Sequence, residues 1–179
     1  MIASSIWFVL SNLPGFLLIL ALIIAAIRRD RRTTAERFLS WILLLPIGVT
    51  GIWAAIFHIF LPQVAAADIG WQVSPFQYEV GVADLAFGVA ACVAFWASLS
   101  YKAAAVLVSS IALLGDAVGH IRQMLVAGNF APGNAGVVFW TDIIVPVLAI
   151  VLLAAAWRTR DEFHGIRRLP GDRIIHLPK

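Results

Sequence analysis

The first 27 residues contain no aspartate, glutamate, lysine or arginine, and neither does the stretch from Phe38 to Ala67. Over the whole chain only 13% of residues are charged and 61% are hydrophobic, where a soluble domain carries roughly 25% charged residues. This shortage excludes an ordinary water-soluble fold, because so apolar a chain cannot hide its surface from water. Both charge-free stretches exceed the ~20 apolar residues that cross a bilayer as a helix.

Cysteine is nearly missing as well. Cys92 stands alone in an apolar run, so no intrachain disulfide can form and its default role is that of a small packing residue. There is no Cys-x-x-Cys-His, Gly-rich phosphate loop or Gly-x-Ser-x-Gly elbow, which leaves covalent haem, nucleotide binding and the usual serine hydrolase arrangement without support. A basic n-region ahead of the first apolar run is lacking too, so that run is expected to be a retained helix and not a cleaved signal peptide.

What basic residues there are obey a strict pattern. Arg28, Arg29, Arg31, Arg32 and Arg37 follow the first apolar run, Lys102 lies in a later turn, and Arg158, Arg160, Arg167, Arg168, Arg173 and Lys179 close the chain. The segments 62–78 and 128–136 contain none. Spans at about 5–27, 38–61, 79–100, 103–127 and 137–157 put all of these basic residues on one side, which the positive-inside rule makes cytoplasmic. Arg122, inside a span, is the exception.

The expected fold is therefore all-α: a polytopic membrane bundle of about five transmembrane helices over residues 1–157, N-terminus out and C-terminus in, with a basic cytoplasmic tail at 158–179. A four-helix count would require the first span to be re-entrant. The basic residues are not interleaved with aromatics over a face, so nucleic acid is excluded as a partner. The bilayer is the expected partner, and a homo-oligomer or larger membrane complex is compatible with the pattern.

Pro14, Pro46 and Pro146 fall within spans, where each removes a backbone hydrogen bond and kinks the helix. The two outer loops, rich in turn formers and aromatics, read as ordered lids. Trp71, Trp140, Phe76 and Phe130 are expected at headgroup level as interface anchors.

Against this apolar background the ionisable residues inside spans stand out, since each costs roughly 2.5 to 3.5 kcal/mol at mid-helix on insertion scales and such residues tend to face the bundle interior. Asp116, His120 and Gln123 fall at i, i+4 and i+7, one face of the fourth span. Counting ~1.5 Å per residue from the outer span ends, His58, Asp84, Asp142, His120 and Asp116 all lie in or near the outer half, and Glu79 sits at its mouth. One shared site is the economical inference. Four carboxylates against Arg122 alone would leave net negative charge in a low-dielectric region, and a cation, retained protons or imidazolium forms must offset it.

Two imidazoles with several carboxylates form a mixed nitrogen and oxygen set suited to zinc, iron or manganese. The leading expectation is thus a divalent metal held by His58, Glu79, Asp116, His120 and Asp142, with Asp84, Arg122, Gln77, Gln123 and Asn134 as supporting or gating residues. Haem ligated by His58 and His120 fits the surrounding carboxylates poorly. The same residues would also serve a proton-coupled or ion transporter, or a non-catalytic membrane subunit whose polar network only locks helices together. Ligand types alone do not decide whether such a site performs chemistry.

The string from Trp71 to Leu85, with its Trp-Gln-x-Ser-Pro-Phe-Gln-x-Glu-x-Gly-x-Ala-Asp pattern, together with Gly115-Asp116, His120 and Pro132-Gly-Asn-Ala-Gly136, resembles a family of small bacterial integral membrane proteins of unknown function. That resemblance covers most of the chain and implies a bacterial inner membrane, multi-pass. It implies no activity, substrate or cofactor.

Overall fold

The computed structural model describes the backbone of residues 2–166 and the side chains of residues 5–160. Arg167, Arg168, Arg173 and Lys179, expected in a cytoplasmic tail, lie outside the described residues. Among those described there is no strand, and the helices run α1 Ile2–Ser11, α2 Leu13–Ile27, α3 Thr34–Ile42, a π-helical segment Leu43–Val49, α4 Thr50–Phe60, α5 Pro62–Ile69, α6 Phe76–Ala94, α7 Leu99–Ala127, α8 Pro132–Ala135 and α9 Val137–Ile166. Four stretches, Thr34–Phe60, Phe76–Ala94, Leu99–Ala127 and Pro132–Arg160, are long and apolar enough to cross a membrane. A fifth exists only if the bent pair α1 and α2 counts as one span.

That bend corrects the expected single helix over 5–27. The two segments meet at 70° around Asn12, whose backbone is non-helical (φ −111°, ψ 12°). Pro14 opens α2; it has no N–H to continue the ladder and its ring disfavours helical geometry before it. The Asn12 amide donates to the Phe8 carbonyl at 2.8 Å, closing the end of α1.

The second span starts four residues earlier than expected because Thr33 caps it, accepting from the Glu36 N–H at 3.2 Å. Thr33 with Glu36 three residues on is the sequence signature of a helix start. Pro46 lies within the π-helical segment. The last span continues as helix beyond residue 157 to Ile166, so the first part of the expected tail is helical.

Helices α4 and α6 touch backbone to backbone. A Cβ on Gly51 would lie 3.0 Å from the Asp84 carbonyl oxygen, and one on Gly88 would lie 2.9 Å from the Ile52 nitrogen. Small residues allow such approach between membrane helices, where packing rather than hydrophobic exclusion holds the pair. The contact fixes Asp84 beside α4.

The end of the bundle that carries the arginines is an apolar core, built on Leu39, Ile42, Leu43, Ala91, Ala94, Val106 and Ala149. Lys102 is buried there at 1% exposure, its Nζ 2.9 Å from Glu36 Oε1 and 2.8 Å from the Ala97 carbonyl. It is a buried ion-paired residue, where the sequence pattern places it in an open turn. The polar cavity lies at the other end.

Candidate functional site: an acidic cavity under a pinned lid

The residues that line the cavity come from every helix that reaches that end. Asp84 arrives on α6, Asp116 and His120 on α7, Thr141 and Asp142 on α9, and Thr50, Trp53 and His58 on α4. Trp7 and Ser11 of α1 and Asp68 of α5 complete it, with Pro14 and Pro46 among the apolar lining. The cavity holds about 160 Å³, close to the ~150 Å³ of an engineered cavity that admits benzene.

His58, Asp84, Asp116, His120 and Asp142 therefore share one cavity. Glu79 does not: it is exposed at the start of α6, so it is no member of the expected ligand set. Arg122 is exposed on the side of α7 and pairs with neither Asp84 nor Asp142. Gln77 donates to the Pro62 carbonyl at 2.9 Å, tying α6 to α5. Gln123 lies outside the cavity lining, and its backbone carbonyl receives the N–H of Asn129 at 3.2 Å. Among the described residues, no three His, Cys, Asp or Glu side chains lie close enough to hold one metal ion.

Asn134 turns out to organise the lid. Fully buried, it accepts at Oδ1 from the Trp71 indole N–H at 3.0 Å. Its amide donates to the carbonyls of Asn129 at 2.9 Å and His120 at 3.3 Å. A tryptophan N–H can only donate, which identifies the atom facing it as the oxygen. His120 Nδ1, 2.8 Å from that same oxygen, must then be the protonated ring nitrogen. Its Nε2 is left pointing at Asp142 Oδ2, 3.6 Å away.

Trp71 thus has a second partner besides the headgroup level expected of it. Its ring lies 5.7 Å from that of His120, tilted by 48°, held over the cavity because Gly70 ends α5 with φ 75°, a backbone region that favours glycine. Trp71 and Trp140 are 40% and 57% exposed. The remaining lid contacts run between α1, α5 and the 128–136 segment: Ser11 Oγ donates to Asp68 Oδ1 at 3.2 Å, and the Asn129 amide donates to the Ile69 carbonyl at 2.9 Å. These outer segments are ordered by specific hydrogen bonds.

Electrostatically the cavity is lopsided. Asp68, Asp84, Asp116 and Asp142 line it, and among the described residues no lysine or arginine does. Asp84 and Asp142 are each 7% exposed. No hydrogen-bond donor reaches Asp84 among the described residues, and the carboxyl of Asp116 is an electrostatic neighbour. Asp116 lines the cavity and keeps accessible surface.

The family model for a family of unknown function, DUF6790, matches residues 11–162. The chain belongs to that family. The DUF6790 match takes in every cavity residue except Trp7 and its neighbour Leu10. No curated protein and no solved structure matches the chain.

Asp68, Thr50, Trp53 and Thr141 are cavity residues that sequence reasoning missed. A usable signal existed for Asp68 alone. It is the one charged residue in the 62–78 segment ahead of Glu79, on the side from which basic residues are missing.

Proposed function

We propose that this is a multi-pass membrane protein that binds a small organic cation, an amine with an apolar body, in the acidic cavity. The observation that carries this is Asp84: nine-tenths buried and facing a cavity lined by three further carboxyls, with no hydrogen-bond donor to it and no basic side chain in the lining among the described residues. A buried carboxylate left unpaired is strongly unfavourable, so these carboxyls either keep their protons or take a positive charge from outside the chain, and the second is the reading proposed. Trp7, Trp53 and Trp71 add aromatic faces, which attract cations.

The donors are spread round the cavity instead of gathered at one point. A cation whose charge lies on an organic framework suits such an arrangement better than a bare metal ion, which needs several ligand atoms near 2 Å. A divalent cation held partly through water is the second reading, favoured by the two imidazoles of His58 and His120 in the same lining. A transport role is disfavoured by the apolar core that closes the opposite end.

The setting proposed is a bacterial inner membrane. Large apolar side chains cover the outside of the bundle, Ile27 at 75% and Ile111 at 68% exposure, as contact with lipid requires. The arginine-bearing end is assigned to the cytoplasm by the positive-inside rule. That α1 reaches the cavity and Ser11 meets Asp68 supports an N-terminus on the same, outer side.

Titration of the cavity tryptophans by fluorescence tests this reading with two probes of one size, cyclohexylammonium and cyclohexanol. A saturable change is expected with the cation alone, weakened about tenfold or more in Asp84→Asn, which removes a charge-assisted contact. Equal response to the alcohol, or indifference to Asp84→Asn, would overturn it. Metal content measured on the same preparation separates the second reading.

A further inference from the structure

A second depression adjoins the cavity. It is an open groove of about 600 Å³ between α1, α5 and the start of α8, with Val64, Ala67 and Pro132 in its apolar lining. Trp7 and Asp68 line both the groove and the cavity. The two spaces therefore share a wall, and these two side chains belong to it.

The fold holds that wall from both sides. Trp7 and Ser11 stand one turn apart on the same face of α1, and Ser11, itself in the cavity lining, donates to Asp68 Oδ1 at 3.2 Å. On the side of α8, a Cβ at Gly133 would lie 2.8 Å from Asp68 Oδ2, so the glycine makes room for the carboxylate. Asp68 is half-buried and Trp7 is 40% exposed. Among the described residues α1 packs extensively against no other helix, so on that side the partition rests on side chains and not on interlocked backbones.

The groove also has a sign. Asp68 gives it a negative charge, and no basic residue among its described lining offsets that charge. The segments 62–78 and 128–136 around it contain no lysine or arginine either. A carboxylate beside an indole face is a pairing that attracts organic ammonium ions.

We infer that organic cations reach the cavity through this groove, meeting Trp7 and Asp68 first and passing inward when the Ser11–Asp68 hydrogen bond opens. Asp68 is then the entry carboxylate, and Asp84 faces the cation once it is inside. This rests on the organic-cation reading above and adds the route by which the ligand arrives.

A route is read in rates, because an obstacle met only on the way alters association and dissociation by the same factor and leaves the affinity alone. Stopped-flow fluorescence of the full chain in detergent with cyclohexylammonium, extended by temperature jump where exchange is fast, measures both rates. Val64 lines the groove and not the cavity, and Val64→Phe is expected to slow both rates several-fold with the dissociation constant unchanged. Ser11→Ala removes the latch and is expected to speed both by about three- to tenfold, the range of one net hydrogen bond. Asp68→Asn keeps an acceptor for Ser11 and removes only the charge; it is expected to slow association by about threefold or more at low salt, an effect that fades as salt is added.

Rates unchanged in Val64→Phe and in Ser11→Ala would overturn the route and leave the cation reading standing. Weaker affinity in Val64→Phe, with dissociation no slower, would place the bound cation in the groove itself and overturn the route as well. No binding of cyclohexylammonium by the wild type would overturn the cation reading and this inference with it. Should Val64→Phe not fold, Ser11→Ala and the salt dependence of Asp68→Asn still decide.

Discussion

Asn134 Oδ1 lies 2.8 Å from His120 Nδ1, and this bond ties the lid to the wall of the cavity. Because the same oxygen also takes the Trp71 indole proton, the ring of His120 is fixed in both orientation and tautomer, with Nε2 turned to Asp142. One asparagine thereby links the segments on either side of α7 to the acid on α9.

Removing that link is expected to be costly. Asn134→Leu leaves the Trp71 indole, the Asn129 carbonyl and His120 Nδ1 without their partner, and several orphaned buried groups correspond to about 2–4 kcal/mol of lost stability. Thermal unfolding of the detergent-solubilised protein measures this. A variant as stable as the wild type would mean that the lid is not held as described.

At the opposite end, Lys102 and Glu36 form a buried pair in which only Lys102 is wholly enclosed. Glu36→Gln strands the ammonium and is expected to destabilise by about 2 kcal/mol, discounted from the fully buried case because Glu36 is partly exposed. Replacing both, Lys102→Met with Glu36→Leu, should recover most of the loss. A double-mutant cycle with no coupling between the two sites would contradict the pairing.

Two glycines make a matched comparison. A methyl group at Gly88 would meet the backbone of α4 at the Ile52 nitrogen, 2.9 Å away, and that of the π-helical segment at the Gly48 oxygen, 3.0 Å away, whereas at Gly115 it would meet nothing within 4 Å. Gly88→Ala is expected to push α6 off α4 and lower the unfolding temperature, displacing Asp84 with it. Gly115→Ala should be neutral or slightly stabilising, since alanine is the better helix former. Equal effects would argue against the close helix contact.

Much of this was legible in the sequence, for a physical reason. Lipid imposes a severe penalty on charge, so charge-free runs marked the spans, and Asp84, Asp116, His120 and Asp142 stood out inside them. That penalty acts only at membrane depth, which is why it gave no guidance on Asp68 or on Glu79, both near the span ends. It also could not foresee the break at Asn12, where Pro14 and a side-chain hydrogen bond decide, or the burial of Lys102, which depends on a partner 66 residues away. Trp71 carried the composition of an interface anchor, and only the fold shows that its indole is spent on Asn134. Thr50 and Trp53 were silent because an isolated threonine or tryptophan in an apolar helix carries no signal of which way it faces.

The most direct measurement is the stoichiometry of cyclohexylammonium bound by the full chain in equilibrium dialysis, set against a variant with Asp84, Asp116 and Asp142 all changed to asparagine and shown by circular dichroism to keep its helices. One cation per chain is the expected result for the wild type and none for the variant. Undiminished uptake by the variant would contradict a binding site built on these three carboxyls.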